Sequence, residues 1–552
     1  MKYTFKINNP AQHFIQIVTE VVINNRPNVS LKLPSWRPGR YELGDFAKNI
    51  KDFIVKDEFG NVLSFQKVAK DEWLVNTNGV TTIVVSYLYY ANELNAGSTF
   101  LDENQLYVNP INCCLFEKDN LEVQCNVFLD IPADYTVATS LNKIESKHYE
   151  AVDFHELVDS PFICSNSLKE HQYVSSGVVF YLCFQGEVKP DWELIVNDFK
   201  KFTDYQIGKF KSFPVKEYYF LFQVTPFAAY HGVEHHRSTV ILLGPSYDVF
   251  KAKYSSLLGV SSHELYHTWN VKGIRPNDML PYDYSKENYT QMGYVTEGVT
   301  TYMGDRILFE AQVFSLKQYF KELETLLSRH FHNDGRSHYS VAESSFDTWL
   351  DGYVAGVPGR KVSIYVEGAL IALICDARIR KNTNNDFSLH DVIREIYSGN
   401  NEIVGYDRVV YQNLLEKISG TSFQDIFENL IYGHKDFGSY LNSAFEFYNW
   451  SYIQESSKHV MWNYGFKANW VNGSFNVLNV LEGSAAALSG IVNEDKIHSV
   501  NGFKLKNDLN NWLEYFLNEE IVISFERAGE LKRLTLCVPN KNQYFNYKMQ
   551  NN

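Results

Sequence analysis

The sequence has 552 residues, 45% of them hydrophobic and 21% charged, with a formal net charge of -14. That length carries two to four domains with sizeable cores, and the acidic balance argues against a nucleic-acid binder, which would normally show a basic face. Its seven cysteines are scattered apart from Cys113-Cys114 and contain no CxxC pair, so neither a disulfide framework nor a cysteine zinc site is suggested.

Residues 1–171 read as all-β. Alternating runs at 14–22, 29–33, 81–90 and 121–128, separated by Asn, Gly, Pro and Asp, predict a β-sandwich. The start of the chain alternates like a strand and has no apolar signal core. No run reaches transmembrane length, so a soluble, cytoplasmic protein without a membrane partner is expected. Pro34 to Tyr41, rich in turn and aromatic residues, predicts a rigid loop packing Trp36 and Tyr41 into a domain interface.

From 172 to 455 the pattern changes. Strand-like runs at 178–184 and 217–224 are followed by helical patterns at 294–311, 316–330, 365–380, 389–398 and 423–432, an α+β arrangement. From 456 to 552 short strands and small-residue turns return, followed by a short tail.

The chemically informative stretch lies in the middle portion. Ser262-His263-Glu264-Leu265-Tyr266-His267 contains HExxH, and Leu257, Leu258, Ser261, Leu265 and Trp269 recur at helical spacing until Pro276 stops the run. On a helix, His263 and His267 project from one face and can share one metal ion, while Glu264 beside them can take a proton from water. A catalytic zinc needs a third protein ligand. TWNVKGIRP after His267 excludes a downstream histidine at metzincin spacing, which leaves Glu297, in Val295-Thr296-Glu297-Gly298, as the best candidate. It sits on a second expected helix, antiparallel to the first, with Thr301 and Asp305 one and two turns on, where either could orient a ligand.

HELYHTWNVKGIRP followed by VTEGVTTY resembles the glycyl aminopeptidase family, PDZ-containing zinc peptidases of the gluzincin type. PSWRPGRYELGDFAKN resembles that family's N-terminal signature, YHGVEHHRS its cleft strand, and GSAAALSGIVNEDKIHSVNG a PDZ core. The resemblance implies three domains: an N-terminal β-domain (1–171), a thermolysin-like catalytic domain (172–455) and a C-terminal PDZ-like domain (456–552).

For the site, the resemblance implies one zinc ion on His263, His267 and Glu297, with Glu264 as the base. Glu234, in a segment with Gly232, would hold the substrate's α-ammonium, although Gly-x-Glu is one residue shorter than the Gly-x-x-Glu of related aminopeptidases. Tyr365, in Tyr-x-x-Gly, would stabilise the oxyanion. The implied substrate is a peptide with a free N-terminus, with glycine or alanine first. Tyr464-Gly465-Phe466 stands where a PDZ-like domain would take a peptide C-terminus. Two other readings stay open: a zinc endopeptidase with the same site, and a non-catalytic peptide-binding scaffold.

Overall fold

The computed structural model describes residues 1–23, 26–118, 120–354, 356–397 and 403–552. The alternation near the N-terminus becomes strand Phe14–Val22, which buries Ile15, Ile17, Thr19 and Val21 and pairs antiparallel with Thr82–Tyr90. These two strands lie in a seven-stranded sheet, beside two four-stranded sheets built from the same part of the chain. Phe53 of the large sheet stacks on Trp73 of a smaller one with ring centroids 4.7 Å apart, so apolar faces meet between sheets. The run expected at 121–128 starts later, as Cys125–Asp130, because residues 121–123 turn before the strand begins.

The middle of the chain builds a five-stranded sheet. Val178–Gln185, Glu217–Val224 and Ser238–Gly244 run parallel, while Ala229–Glu234 forms an antiparallel edge. Parallel strands buried on both faces need continuous apolar runs, and Ser238–Gly244 is buried at every position. Helix Trp192–Phe210, which periodicity had not singled out, carries Asp191 as its cap and buries Ile195, Phe199, Phe202 and Phe210. Phe199 packs edge-on against Phe220 of the sheet at 5.1 Å.

The HExxH helix spans Tyr254–Tyr266 and stops short of the Trp269 that the apolar spacing predicts. Thr268 and Trp269 tighten to bonds with Leu265 and Tyr266, i to i-3, which end the α-helix at the second histidine, its C-terminal cap. Residues 294–311 form a π turn, Tyr294–Val299, running into helix Thr300–Glu310. Helices Leu316–Phe331, Ile364–Asn382 and Leu389–Ile396 follow the expected patterns, although the end of the run expected at 389–398, Ser398, lies outside the described residues. At 423–432 a short helix, Gln424–Ile426, leads into a second π turn, Phe427–Ile431.

The C-terminal portion has its own core, centred on Phe466, Ile497, Leu509 and Ile523, beneath an antiparallel sheet. Chain entering this unit through Trp450–Ser456 leaves it through Phe545–Asn551, and these two strands pair with each other. No helix among the described residues is long and apolar enough to cross a membrane.

Candidate metal centre

Four separate elements converge on the two histidines. Nε2 of His263 and Nε2 of His267 lie 3.1 Å apart. Glu297 Oε2 is 3.8 Å from the first and 3.4 Å from the second. A tetrahedral zinc ion with bonds near 2.0–2.1 Å holds its ligand atoms roughly 3.4 Å apart, so this triangle fits one such ion. Imidazole and carboxylate are also the donors that suit zinc.

The surroundings fix that triangle. His267 Nδ1 donates to the Asn270 carbonyl at 3.0 Å, which turns the Nε2 lone pair toward Glu297. Asn270 in turn donates to the Val295 carbonyl at 2.8 Å and bonds Thr300 at 3.0 Å, tying the end of the HExxH helix to the glutamate's element. Gly304 lies against His263, where an added Cβ would sit 3.1 Å from the histidine Cα. Tyr41 donates to Glu297 Oε1 at 3.2 Å. Burial alone would raise the Glu297 carboxyl, but the adjacent imidazoles, His267 foremost, outweigh it and hold the carboxyl down at about 2.

Among the described residues, Thr301 and Asp305 make no hydrogen bond to His263, His267 or Glu297. The Thr301 hydroxyl is buried without a hydrogen-bond partner, and Asp305 faces the cleft beside Gly259. The bonds to His267 and Glu297 come instead from the Asn270 carbonyl and Tyr41, because the chain closes a turn after His267 and the N-terminal loop reaches across.

Two more carboxylates face the same space. Glu264 is buried, with one oxygen unpartnered, and so is Glu234 on the edge strand. Burial, together with the charges of Glu234 and Glu297 and against that of His267, pushes the Glu264 carboxyl well above the usual range. Gly232 and Glu234 are two residues apart on an extended strand and so share its cleft face. An added Cβ at Gly232 would fall on the Glu264 carboxylate and 2.8 Å from Val260 Cγ2. All these groups line one cleft of about 980 Å³, which Tyr353 and Tyr365 also border. Burial, then the Glu297 charge, raises both phenols, so both stay protonated donors.

The loop at 34–41 does more than the sequence suggests. Trp36 does pack at an interface: it donates to the Asp283 carbonyl at 2.7 Å and meets Trp349 edge-on at 5.1 Å. Tyr41 packs there too, edge-on to Trp349 at 6.1 Å, and with Gly39 it also enters the site, where Gly39, at φ +79°, lies directly against the Glu234 carboxylate. Behind Glu234, Asp159 of the N-terminal part bonds His235 at 3.0 Å and Lys272 at 2.8 Å.

Residues 2–166 match the model of the peptidase M61 N-terminal domain, and residues 256–371 that of M61 glycyl aminopeptidase. No curated protein matches the chain. Among solved structures, an aminopeptidase N family protein from Idiomarina loihiensis superposes with a TM-score of 0.91 at 25% identity, over 100% of this chain and 97% of that one. A mutant M1 zinc metallopeptidase from Deinococcus radiodurans, bound to a Tyr-Ser-Ala substrate, gives a TM-score of 0.48 at 12% identity, over 79% of this chain and 94% of that one. Since the two matched models together cover just over half of the sequence and include the HExxH helix and Glu297, the protein belongs to the M61 glycyl aminopeptidase family of peptidases.

Proposed function

We propose that the protein is a zinc aminopeptidase that removes the N-terminal residue, by family preference glycine or alanine, from peptides. Its parts are an N-terminal β-domain (1–171), a catalytic domain (172–455) and a PDZ-like domain (456–552). His263, His267 and Glu297 would hold one zinc ion, whose Lewis acidity polarises the scissile carbonyl and water.

The chain's own groups supply the rest. Glu264 takes a proton from the attacking water and passes it to the leaving amine. Tyr365 donates a hydrogen bond to the developing oxyanion. Glu234 accepts the α-ammonium, which fixes the bond one residue in as the one cleaved.

The observation that carries this reading is the unpartnered Glu234 oxygen, buried in the cleft that holds the ligand triangle. A buried carboxylate lacking a partner is costly, and a cationic ligand offsets that cost. The close approach of Gly39 to the Glu234 carboxylate supports an exopeptidase over an endopeptidase, since it leaves little room for further substrate residues beyond that carboxylate.

The test is hydrolysis of glycyl and leucyl dipeptides, each free and N-acetylated, with and without chelator and re-added zinc. Chelator-sensitive cleavage of the free peptides alone is expected. Cleavage of acetylated peptides would make the protein an endopeptidase, and no cleavage by the zinc-loaded protein would favour the scaffold.

A further inference from the structure

Beside the catalytic cleft, where helix Leu316–Phe331 meets the C-terminal unit, lies a second cavity of about 450 Å³. It shares Thr325, Arg329 and Ser363 with the cleft, so the two spaces adjoin. Two cations line it, Arg329 and Lys467. Among the described residues neither has a carboxylate within ion-pair distance, and the Arg329 side chain makes no hydrogen bond.

Lys467 is held in a defined pose. His332 Nε2 donates to the Phe545 carbonyl at 2.8 Å, which fixes the tautomer and leaves Nδ1 as an acceptor for the Lys467 ammonium at 2.8 Å. The ammonium also lies over the rings of Trp462, at 5.0 Å, and Tyr544, at 4.5 Å. The Lys467 ammonium thus gives one of its three N–H donors to His332, and among the described residues no acidic group takes the others. Burial lowers this lysine to about 8, the direction expected of a cation lacking an anion.

The cavity wall is otherwise suited to an anion. Ser363 caps helix Ile364–Asn382, so the positive end of a 19-residue helix borders the space. The one carboxylate there, Glu367, is engaged by His330 at 2.8 Å.

We propose that Arg329 and Lys467 form a carboxylate subsite for the free C-terminus of a short peptide whose N-terminus lies at Glu234. The preferred substrates are then short peptides with both ends free, and the C-terminal unit contributes a substrate-binding residue. This inference rests on the aminopeptidase reading. A free anion is a poorer occupant, because the cavity adjoins the cleft in which the peptide lies.

The experiment is calorimetric binding of Gly-Ala, Gly-Ala-Ala and Gly-Ala-Ala-Ala, each as acid and as C-terminal amide, to zinc-loaded full-length protein carrying Glu264→Gln. At one length or more the acid should bind at least about tenfold tighter than the amide, the scale of a charged hydrogen bond. Arg329→Gln, on an exposed helix face, and Lys467→Met, which keeps the stem on the aromatic rings, should lower acid affinity to that of the amide and leave amide affinity unchanged.

Equal binding of acid and amide at every length would overturn the subsite. So would variants that weaken both forms alike, which is what a purely structural lysine gives. Failure of the wild-type protein to hydrolyse any of these peptides would instead remove the aminopeptidase reading, with the acid-to-amide ratio still deciding the subsite.

Discussion

The Tyr41 hydroxyl, from the N-terminal β-rich part, donates a hydrogen bond to the Glu297 carboxylate at 3.2 Å across 256 positions of sequence. The candidate metal centre is therefore completed by the N-terminal part. Partners of ligating carboxylates typically alter metal affinity by about 10–100-fold when removed. Tyr41→Phe should weaken zinc binding by that factor in a competition with a chromophoric chelator, with the fold intact by circular dichroism. Unchanged affinity in Tyr41→Phe, alongside a large loss in Glu297→Gln, would show the bond to be incidental.

Gly232 faces Glu264 with no room for a side chain. An added Cβ would coincide with the carboxylate and crowd Val260 at 2.8 Å, so either the strand or Glu264 must move. Displacing a catalytic group by about 1 Å costs about a hundredfold in rate. Gly232→Ala should lower kcat by that order while zinc content by atomic absorption stays at that of the wild type. A near-normal kcat would mean that Glu264 acts from some other position.

Much of this site was legible because its chemistry is local. His263, Glu264 and His267 are set by a single helical turn, and Glu297 by its position on the next long helical pattern. The short Gly-x-Glu spacing is compatible with Gly232 and Glu234 sharing a strand face, since side chains repeat every second residue. Tyr41, Gly39 and Asp159 were not legible as site residues: their roles depend on contacts across 76 to 256 positions, which no periodicity encodes. Helix Trp192–Phe210 did carry a signal, with Ile195, Phe199, Phe202 and Phe210 on one face behind an Asp191 cap. The shortened HExxH helix had none, because Trp269 is apolar and buried whether or not the helix continues.

Asp159 holds Lys272, whose side chain is 3% exposed, at 2.8 Å. Burial alone would raise the Asp159 carboxyl, but the Lys272 charge and the His235 hydrogen bond outweigh it and hold it well below the usual range. Asp159→Asn leaves a buried ammonium without a counter-charge, which costs about 3–5 kcal/mol. A depressed carboxylate stabilises the fold fully above its unfolded value of about 3.9 and loses that contribution as pH falls below it. The gap between wild type and Asp159→Asn in urea unfolding should thus be widest at pH near 7 and shrink toward pH 3. A gap that stays constant with pH would rule out the Asp159 charge as its source.

Helix Ile364–Asn382 crosses the Glu297 turn at a glycine pair. A Cβ at Gly368 would lie 2.7 Å from the Gly298 Cα and 2.9 Å from the Tyr294 Cα, both backbone atoms that cannot rotate away. Gly368→Ala must therefore push the π turn off the helix. Overpacking of this kind costs about 1–3 kcal/mol, and because Glu297 immediately precedes Gly298, zinc affinity should fall with stability. Gly208→Ala supplies the control: it lies in helix Trp192–Phe210 with nothing within 4 Å of the added atom. That change should raise stability by roughly 0.5–1 kcal/mol, the helical preference of alanine over glycine, and leave zinc affinity unaltered. If Gly368→Ala lowered the unfolding midpoint yet bound zinc as tightly as the wild type, the glycine crossing would not be what positions Glu297, and that role would pass to Tyr41 and the Asn270 bridge.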